Sequence, residues 1–591
     1  MDDTDHRGLE PSIHPVTGIA APVAQVVGCR AAGLGLAAVL AVVLLLPTGA
    51  GLLGTMVPAF GYLPAAGARD PGLWPWRDLM SSPGFLTGLR LTVTTGVGAT
   101  ALSLTLAVAL CISLHRQVRL RAARLLLAPM LASPHSAMAI GLAFVLAPSG
   151  WLARLASSWL TGRELPADVS TIHDSGGIAL VLGLLVKEVP FLSLVILAAV
   201  EQVPVAALLR TCRALGYGPT ATWIKVVMPQ VYPQVRLPVY AVLAFSLSVV
   251  DVALVLGPAN PATLSVTAAR WFAAPDVSRY PAAAAAAAML LAVVVVAIAL
   301  WWGVERLVAA AGRVWIARGG RSNWAEPVLG LMDGPVILTL AMGAAALLAM
   351  AVWSFTWRWS FPNPLPQEWG VSNWLRAPGL LAGPLANTVA LGSSTTVAAV
   401  ALAVACFEAD DACASDLLKT MVRLAMVPLL LPQVAFQFGA QILLLRLRLD
   451  GGIMAVGWYH LVFVFPYVVI ALADPWRAID PRYARSAASL NASRMRVLFA
   501  VKLPILLRPL MVAAAIGFSV SVAQYLPTLF AGGGRVATLT TEAVALSSGG
   551  DRRITGMLVI LQSGLPLLAF AAAMAIPPLL HGKRRREGEV G

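Results

Sequence analysis

Long apolar runs alternate along the chain with short gaps that hold its charges. Twelve runs are candidates to cross a bilayer, near 30–57, 87–114, 125–148, 178–200, 237–257, 282–304, 335–355, 384–407, 421–445, 453–473, 510–530 and 556–580. About 20 mostly apolar residues suffice to span the hydrocarbon core as a helix. Backbone groups in lipid must bond within their own segment, so each run predicts an α-helix. The clearest run is PAAAAAAAMLLAVVVVAIALWW, in which valine and isoleucine reinforce the mildly apolar alanines. The expected fold class is all-α, a polytopic membrane protein with about twelve transmembrane helices in two repeated six-helix modules.

Composition agrees. The chain has 591 residues, 59% hydrophobic and 12% charged, with a mean hydropathy of +0.80. Soluble domains average about 25% charged residues, so few charges could not cover a soluble core of this length. The net charge of +14 does not signal nucleic acid, because the charges sit between apolar runs, where Lys and Arg set orientation. They cluster in HRQVRLRAAR (Arg116, Arg119, Arg121, Arg124), in 201–236, after the sixth run, in 474–509, and in Lys583, Arg584, Arg585 and Arg586. All fall on one side if both termini are cytoplasmic. The gap FEADDACASDLLK is acidic instead, but Asp and Glu weigh little in orientation. Trp74, Trp76, Trp353, Trp357, Trp359, Trp369 and Trp374 fall on the opposite side and read as interfacial anchors. Cys29, Cys111, Cys212, Cys406 and Cys413 match no zinc or disulfide spacing and read as buried thiols. The polar, acidic start reads as an uncleaved cytoplasmic tail. The expected division is a tail at 1–29, a first module at 30–304, a cytoplasmic linker at 305–333, a second module at 334–580 and a basic tail at 581–591.

The halves echo one another. RTCRALGYGPTATWIKVVMPQVYP answers RSAASLNASRMRVLFAVKLPILLRP, and one constant offset along the chain relates Leu215 to Leu490, Pro229 to Pro504 and Ala262 to Ala537. Each copy predicts a helix, a break and a second helix ending at proline. Gly216 supplies the first break and Asn491 the second, both residue types that accept the left-handed conformation ending a helix. Two short helices at an angle, twice in register, predict a docking element on the cytoplasmic face.

Catalytic chemistry is missing. ATP hydrolysis needs a phosphate-cradling glycine-rich loop ending in Gly-Lys-Ser/Thr. Of the five lysines only Lys419 precedes Ser or Thr, and no glycine leads into it. HExxH, CxxC and GxSxG are absent too. No catalytic residue, metal ligand or bound cofactor is expected, and the energy source must be a partner or an ion gradient. Ionisable groups at membrane depth are functional candidates. Asp251, in the fifth run, and Gln524, in the corresponding stretch of the second half, could touch substrate or hold helices together. Lys187 and Glu188, just before Pro190, could pair with neighbouring helices.

The repeated loop resembles the cytoplasmic signature loop of permease subunits of binding-protein-dependent ABC importers: Glu-Ala-Ala, three residues, Gly, nine residues, Ile, one residue, Leu-Pro. Gly216 to Pro229 keeps the spacing, with Val226 and Met228 for Ile and Leu, and Asn491 to Pro504 keeps it with Val501 and Leu503. Arg210 and Arg485 stand where the family has Glu, and the second copy lacks Gly. The resemblance covers roughly 85–305 and 380–580. The first half resembles most closely the fused permeases of the thiamine and ferric-iron type and their uncharacterised relatives, the last suggested by YAVLAFSLSVVDVALVLGPANPATLSV. It implies two cytoplasmic ATPase subunits using ATP and docking on Arg210, Ala214, Leu215, Gly216 and Pro229, and on Arg485, Ser489, Leu490, Asn491 and Pro504. It also implies a periplasmic or extracellular substrate-binding protein, a bacterial inner membrane and a lipid surround. The alternative is a gradient-driven secondary carrier of twelve spans, which predicts several paired intramembrane charges.

Overall fold

A computed structural model describes residues 23–116, 124–321, 325–413 and 415–588. Most of the expected N-terminal tail, part of the first basic gap and the last three residues lie outside them. The described chain is all-α apart from a two-stranded antiparallel ribbon, Thr356–Arg358 with Glu368–Trp369. Among the described residues nine helices are long and apolar enough to cross a membrane, and eleven if two bent pairs each count as one span. The bent pairs are Asp416–Leu429 with Val434–Leu447, at 112°, and Arg494–Ile505 with Leu507–Val522, at 78°.

Besides the run 421–445, which the 112° bend divides, three expected spans depart from single helices. The run 125–148 breaks between Arg124–Ala132 and His135–Leu146, at Pro134. The run 237–257 ends as helix at Ser248 and restarts at Asp251. Its helix, Met228–Ser248, carries Gln230, Gln234 and Arg236 in its first half, which dilutes its apolar character. The run 510–530 likewise stops at Val522 and restarts at Leu526. The polar stretch 305–333 is mostly helical, since Tyr280–Ala317 runs into it and Ala325–Ser354 starts within it.

Elements recur at the offset that relates Leu215 to Leu490. Val205–Ala214, Pro219–Thr222, Trp223–Val227 and Leu264–Phe272 are answered in the second half by Pro481–Ser489, Arg494–Val497, Leu498–Lys502 and Leu539–Ser547, in register to within one position at each end. Tertiary contacts recur as well. The Leu264 N–H donates to Thr92 Oγ1 (2.8 Å), and the Leu539 N–H to Thr388 Oγ1 (2.9 Å).

Each half sends its first helix onto the other. Leu46–Ala59 packs on Val434–Leu447, and Ala325–Ser354 packs on His135–Leu146. Small residues let these backbones meet, as in other membrane helix pairs. A Cβ on Gly439 would strike the backbone of Gly51 and Gly54, and the Gly439 N–H donates to Thr55 Oγ1 (3.0 Å). At the other crossing a Cβ on Gly141 would meet the Ala346 carbonyl. The alanines Ala283–Ala287 are buried in the core, whereas Val295, Val296 and Leu300 of the same helix are exposed.

The tryptophans correct one expectation. Trp353 and Trp359 are buried rather than lipid-facing, and the Arg154 guanidinium lies 4.8 Å from the Trp359 ring centre. Arg154 also donates to the carbonyls of Ser149 (3.0 Å) and Ser360 (2.9 Å), so these rings staple the two halves together. Trp369 is exposed.

Candidate transport seam and paired loops

The two broken loops have one geometry. In the first, Gly216 sits at φ +84°. Its N–H donates to the Arg213 carbonyl (3.0 Å) and the Tyr217 N–H to the Cys212 carbonyl (2.9 Å). This is the Schellman closure, which satisfies carbonyls left over at a helix end. In the second, Asn491 sits at φ +56° and the Ala492 N–H donates to the Ala487 carbonyl (3.1 Å). Gly218 and Pro219 then start the second helix of the first loop, while Ser493 caps that of the second through the Arg496 N–H (3.3 Å). At the tips, Leu215 is 55% exposed and Leu490 83%, with Arg210, Ala214, Arg485 and Ser489 also exposed beside them.

Pro229 does not end the second helix of its loop as expected, whereas the second helix of the other loop ends one residue after Pro504. Trp223–Val227 runs straight into Met228–Ser248, with Pro229 in the first turn. Pro504 sits in Leu503–Ile505, just before the 78° bend.

The loops are fastened differently. Lys225, below the first, donates to the Gly320 carbonyl (2.6 Å) and lies 4.2 Å from the Trp315 ring centre. Glu326 accepts from the Thr220 N–H (3.0 Å), so the segment joining the halves pins this loop. Lys502, below the second, pairs with Glu408 (2.6 Å) and Asp411 (2.8 Å), and Trp476 Nε1 donates to Asp411 (3.0 Å). The acidic gap that dissented from the charge pattern therefore supplies the counter-charges of the second loop.

The ionisable candidates separate into two roles. Lys187 is buried, and its ammonium donates to the carbonyls of Met130 (2.8 Å), Leu131 (3.0 Å) and Ser133 (2.6 Å). These carbonyls end the helix before Pro134, and a cation is favourable there. Lys187 thus fastens a break. Glu188 instead meets His135 Nε2 (3.2 Å), and His135 leads the helix after the break, its ring 4.5 Å from that of Phe245. Asp251, half-buried at the start of Asp251–Leu256, is within electrostatic reach of His135 and of Tyr525, and Glu188 is within reach of Tyr467. His135, Glu188 and Asp251 belong to the first half, and Tyr467 and Tyr525 to the second, so the cluster lies at the seam. Gln562 bridges the same seam, donating to Ser136 Oγ (3.0 Å) and Thr540 Oγ1 (2.7 Å).

Gln524 is buried just before Leu526–Gly532. In the register that matches Leu215 with Leu490, however, Asp251 corresponds to Leu526 and Gln524 to Val249, so the two are not equivalent positions. Sequence reasoning missed His135, whose signal is the breaker Ser133-Pro134 before it. It also missed His460, buried between Ser521 Oγ (2.8 Å) and Thr528 Oγ1 (2.9 Å).

A polytopic helical protein with crossed halves, a polar seam and two loops held at one end has the form of a transporter's membrane subunit. No family model matches the chain. Over 522 residues it is 30% identical to the inner membrane ABC transporter permease protein YnjC of Escherichia coli (strain K12), covering 84% of this chain and 89% of that protein. The chain belongs to the ABC transporter permeases. It is a membrane subunit rather than an enzyme, and ATP hydrolysis falls to partner subunits.

Proposed function

We propose that this chain is the permease of a binding-protein-dependent ABC importer in a bacterial inner membrane, with both termini and both broken loops cytoplasmic. Its two modules, 30–304 and 334–580, do in one chain what a pair of permeases does elsewhere. Each loop docks one of two ATPase subunits, and a substrate-binding protein delivers cargo at the opposite end. The observation that carries this reading is the recurrence, in register in the two halves, of one broken helix with an exposed leucine at its tip. The location is argued from the relative, whose name places it in the inner membrane.

In this mechanism closure of the ATPase pair on ATP draws the loops together. Lys225 and Lys502 tie the loops to the membrane helices, so the pull reaches the seam. Cargo then passes between the halves, beside Asp251, Glu188 and His135. Asp251 is the group that meets it, while Lys187 keeps the neighbouring break in shape.

One observation keeps the carrier reading in view: the Glu188–His135 pair beside Asp251 is the kind of group an ion-coupled carrier uses. Uptake into vesicles holding the assembled complex separates the two. The importer accumulates cargo with ATP after ionophores have collapsed every ion gradient. Uptake that survives ATP removal and stops with the ionophore would overturn the proposal.

A further inference from the structure

Helix Tyr280–Ala317 has 38 residues, about 57 Å at 1.5 Å per residue. The hydrocarbon core is only about 30 Å thick, so the helix projects well beyond it. Its apolar stretch from Pro281 closes on Trp301 and Trp302, about 33 Å along, and its first charge is Glu305. Paired tryptophans followed by charge mark the boundary of a membrane. This boundary lies at the end of the bundle that carries the two loops.

At that level the neighbouring helix, Met228–Ser248, opens a groove. It has a volume of about 340 Å³ and is lined by Pro233, Arg236, Leu237, Tyr240 and Trp302. Its inner wall is fully wired. Glu305 accepts from Tyr232 Oη (2.6 Å) and Tyr240 Oη (2.9 Å), and pairs with Arg236 Nε (2.7 Å). The Glu305 side chain is only 11% exposed, and that of Arg236 is 38% exposed. The carboxylate is thus covered and neutralised from within, while the guanidinium faces outward. The Arg236 guanidinium lies 5.5 Å from the Tyr240 ring centre, beside the groove. A second cation joins it, since the Arg306 guanidinium lies 3.8 Å from the Trp302 ring centre. Of the groove's lining, Leu237 and Trp302 are exposed and apolar.

We propose that this groove binds the head group of an anionic phospholipid. Its phosphate lies against Arg236 and Arg306, Trp302 packs on the glycerol region, and the acyl chains run along Leu237. Basic grooves between membrane helices at this level suit such head groups. Lipid is the occupant because the cations sit among exposed apolar side chains at the membrane boundary, where a free anion gains nothing from the apolar rim.

The test is native mass spectrometry of the full chain, released from bilayers of equal phosphatidylglycerol and phosphatidylcholine. The chain should retain phosphatidylglycerol preferentially, and each of Arg236→Gln and Arg306→Gln should lower that preference about fivefold. Arg318→Gln, exposed but outside the groove, should leave it unchanged. Arg306→Gln is the decisive variant, because Arg306 takes no part in holding Glu305. Equal retention of both lipids by the unaltered chain would overturn the proposal, as would full preference in Arg306→Gln. Displacement of the lipid by excess inorganic phosphate would assign the groove to a free anion instead.

Discussion

Replacing Gly216 with valine places a β-branched side chain at a backbone φ of +84°. The left-handed region costs a residue with a Cβ about 1–2 kcal/mol. Space is not the obstacle, because the nearest atom to a Cβ built there is Arg321 Cδ at 3.5 Å, an ordinary contact. The penalty is therefore conformational. The loop must either hold the strained turn or unwind the Schellman closure between Tyr217 and Cys212. Since about 1.4 kcal/mol is a factor of ten, the ATPase should bind roughly tenfold more weakly. Gly216→Asn is the matched control, because Asn491 adopts the same turn at φ +56° in the second loop; it should stay within about twofold of the unaltered chain. Titrating purified ATPase onto the chain in lipid nanodiscs measures both, with thermal melting to confirm that the membrane helices are intact. Valine binding as well as glycine, or asparagine binding as poorly as valine, would refute the reasoning.

Lys187→Met should destabilise the bundle by about 3 kcal/mol or more, because it strips donors from three buried carbonyls; an unchanged melting temperature in detergent would count against its fastening the break before Pro134. Glu408→Gln with Asp411→Asn should leave Lys502 without its counter-charges and lower uptake per ATP hydrolysed, read by paired transport and phosphate-release assays. Asp251→Asn should lower uptake more than it lowers ATPase co-purification, and unchanged uptake at normal expression would reduce Asp251 to a packing residue. Hydrogen bonds from Arg553 hold the Asp551 carboxyl below its ordinary value of 3.8. Its contribution to the outer loop is therefore complete above that value and lost as the pH falls through the lower folded-state one. Asp551→Asn should flatten the acid limb of the melting profile.

The repeat was legible because its register depends on local chemistry. Gly216 and Asn491 each end a helix wherever they sit, and Leu215 and Leu490 keep the spacing. The spans were legible from hydropathy, but their breaks were not all visible. Pro134 interrupts one run, whereas Ser248 and Val522 end helices with no proline beside them. What sequence could not show is pairing across distance. Asp411 lies far from Lys502 along the chain, and nothing local joins them. Trp353 and Trp359 look like boundary anchors until Arg154 is seen against their rings. The seam was half-legible: Asp251 and Glu188 stand out as acids in apolar runs, while Tyr467 and Tyr525 become candidates only through their place opposite those acids.

The central claim is that two equivalent loops each hold one ATPase subunit. Cysteines at position 215 or 490, in a chain otherwise stripped of cysteine, would test it by crosslinking to the assembled ATPase, with the products weighed by mass spectrometry. Each single variant should capture one ATPase subunit per chain, and Leu215→Cys with Leu490→Cys should capture two. Two subunits crosslinked through one position, or none through either, would contradict the account.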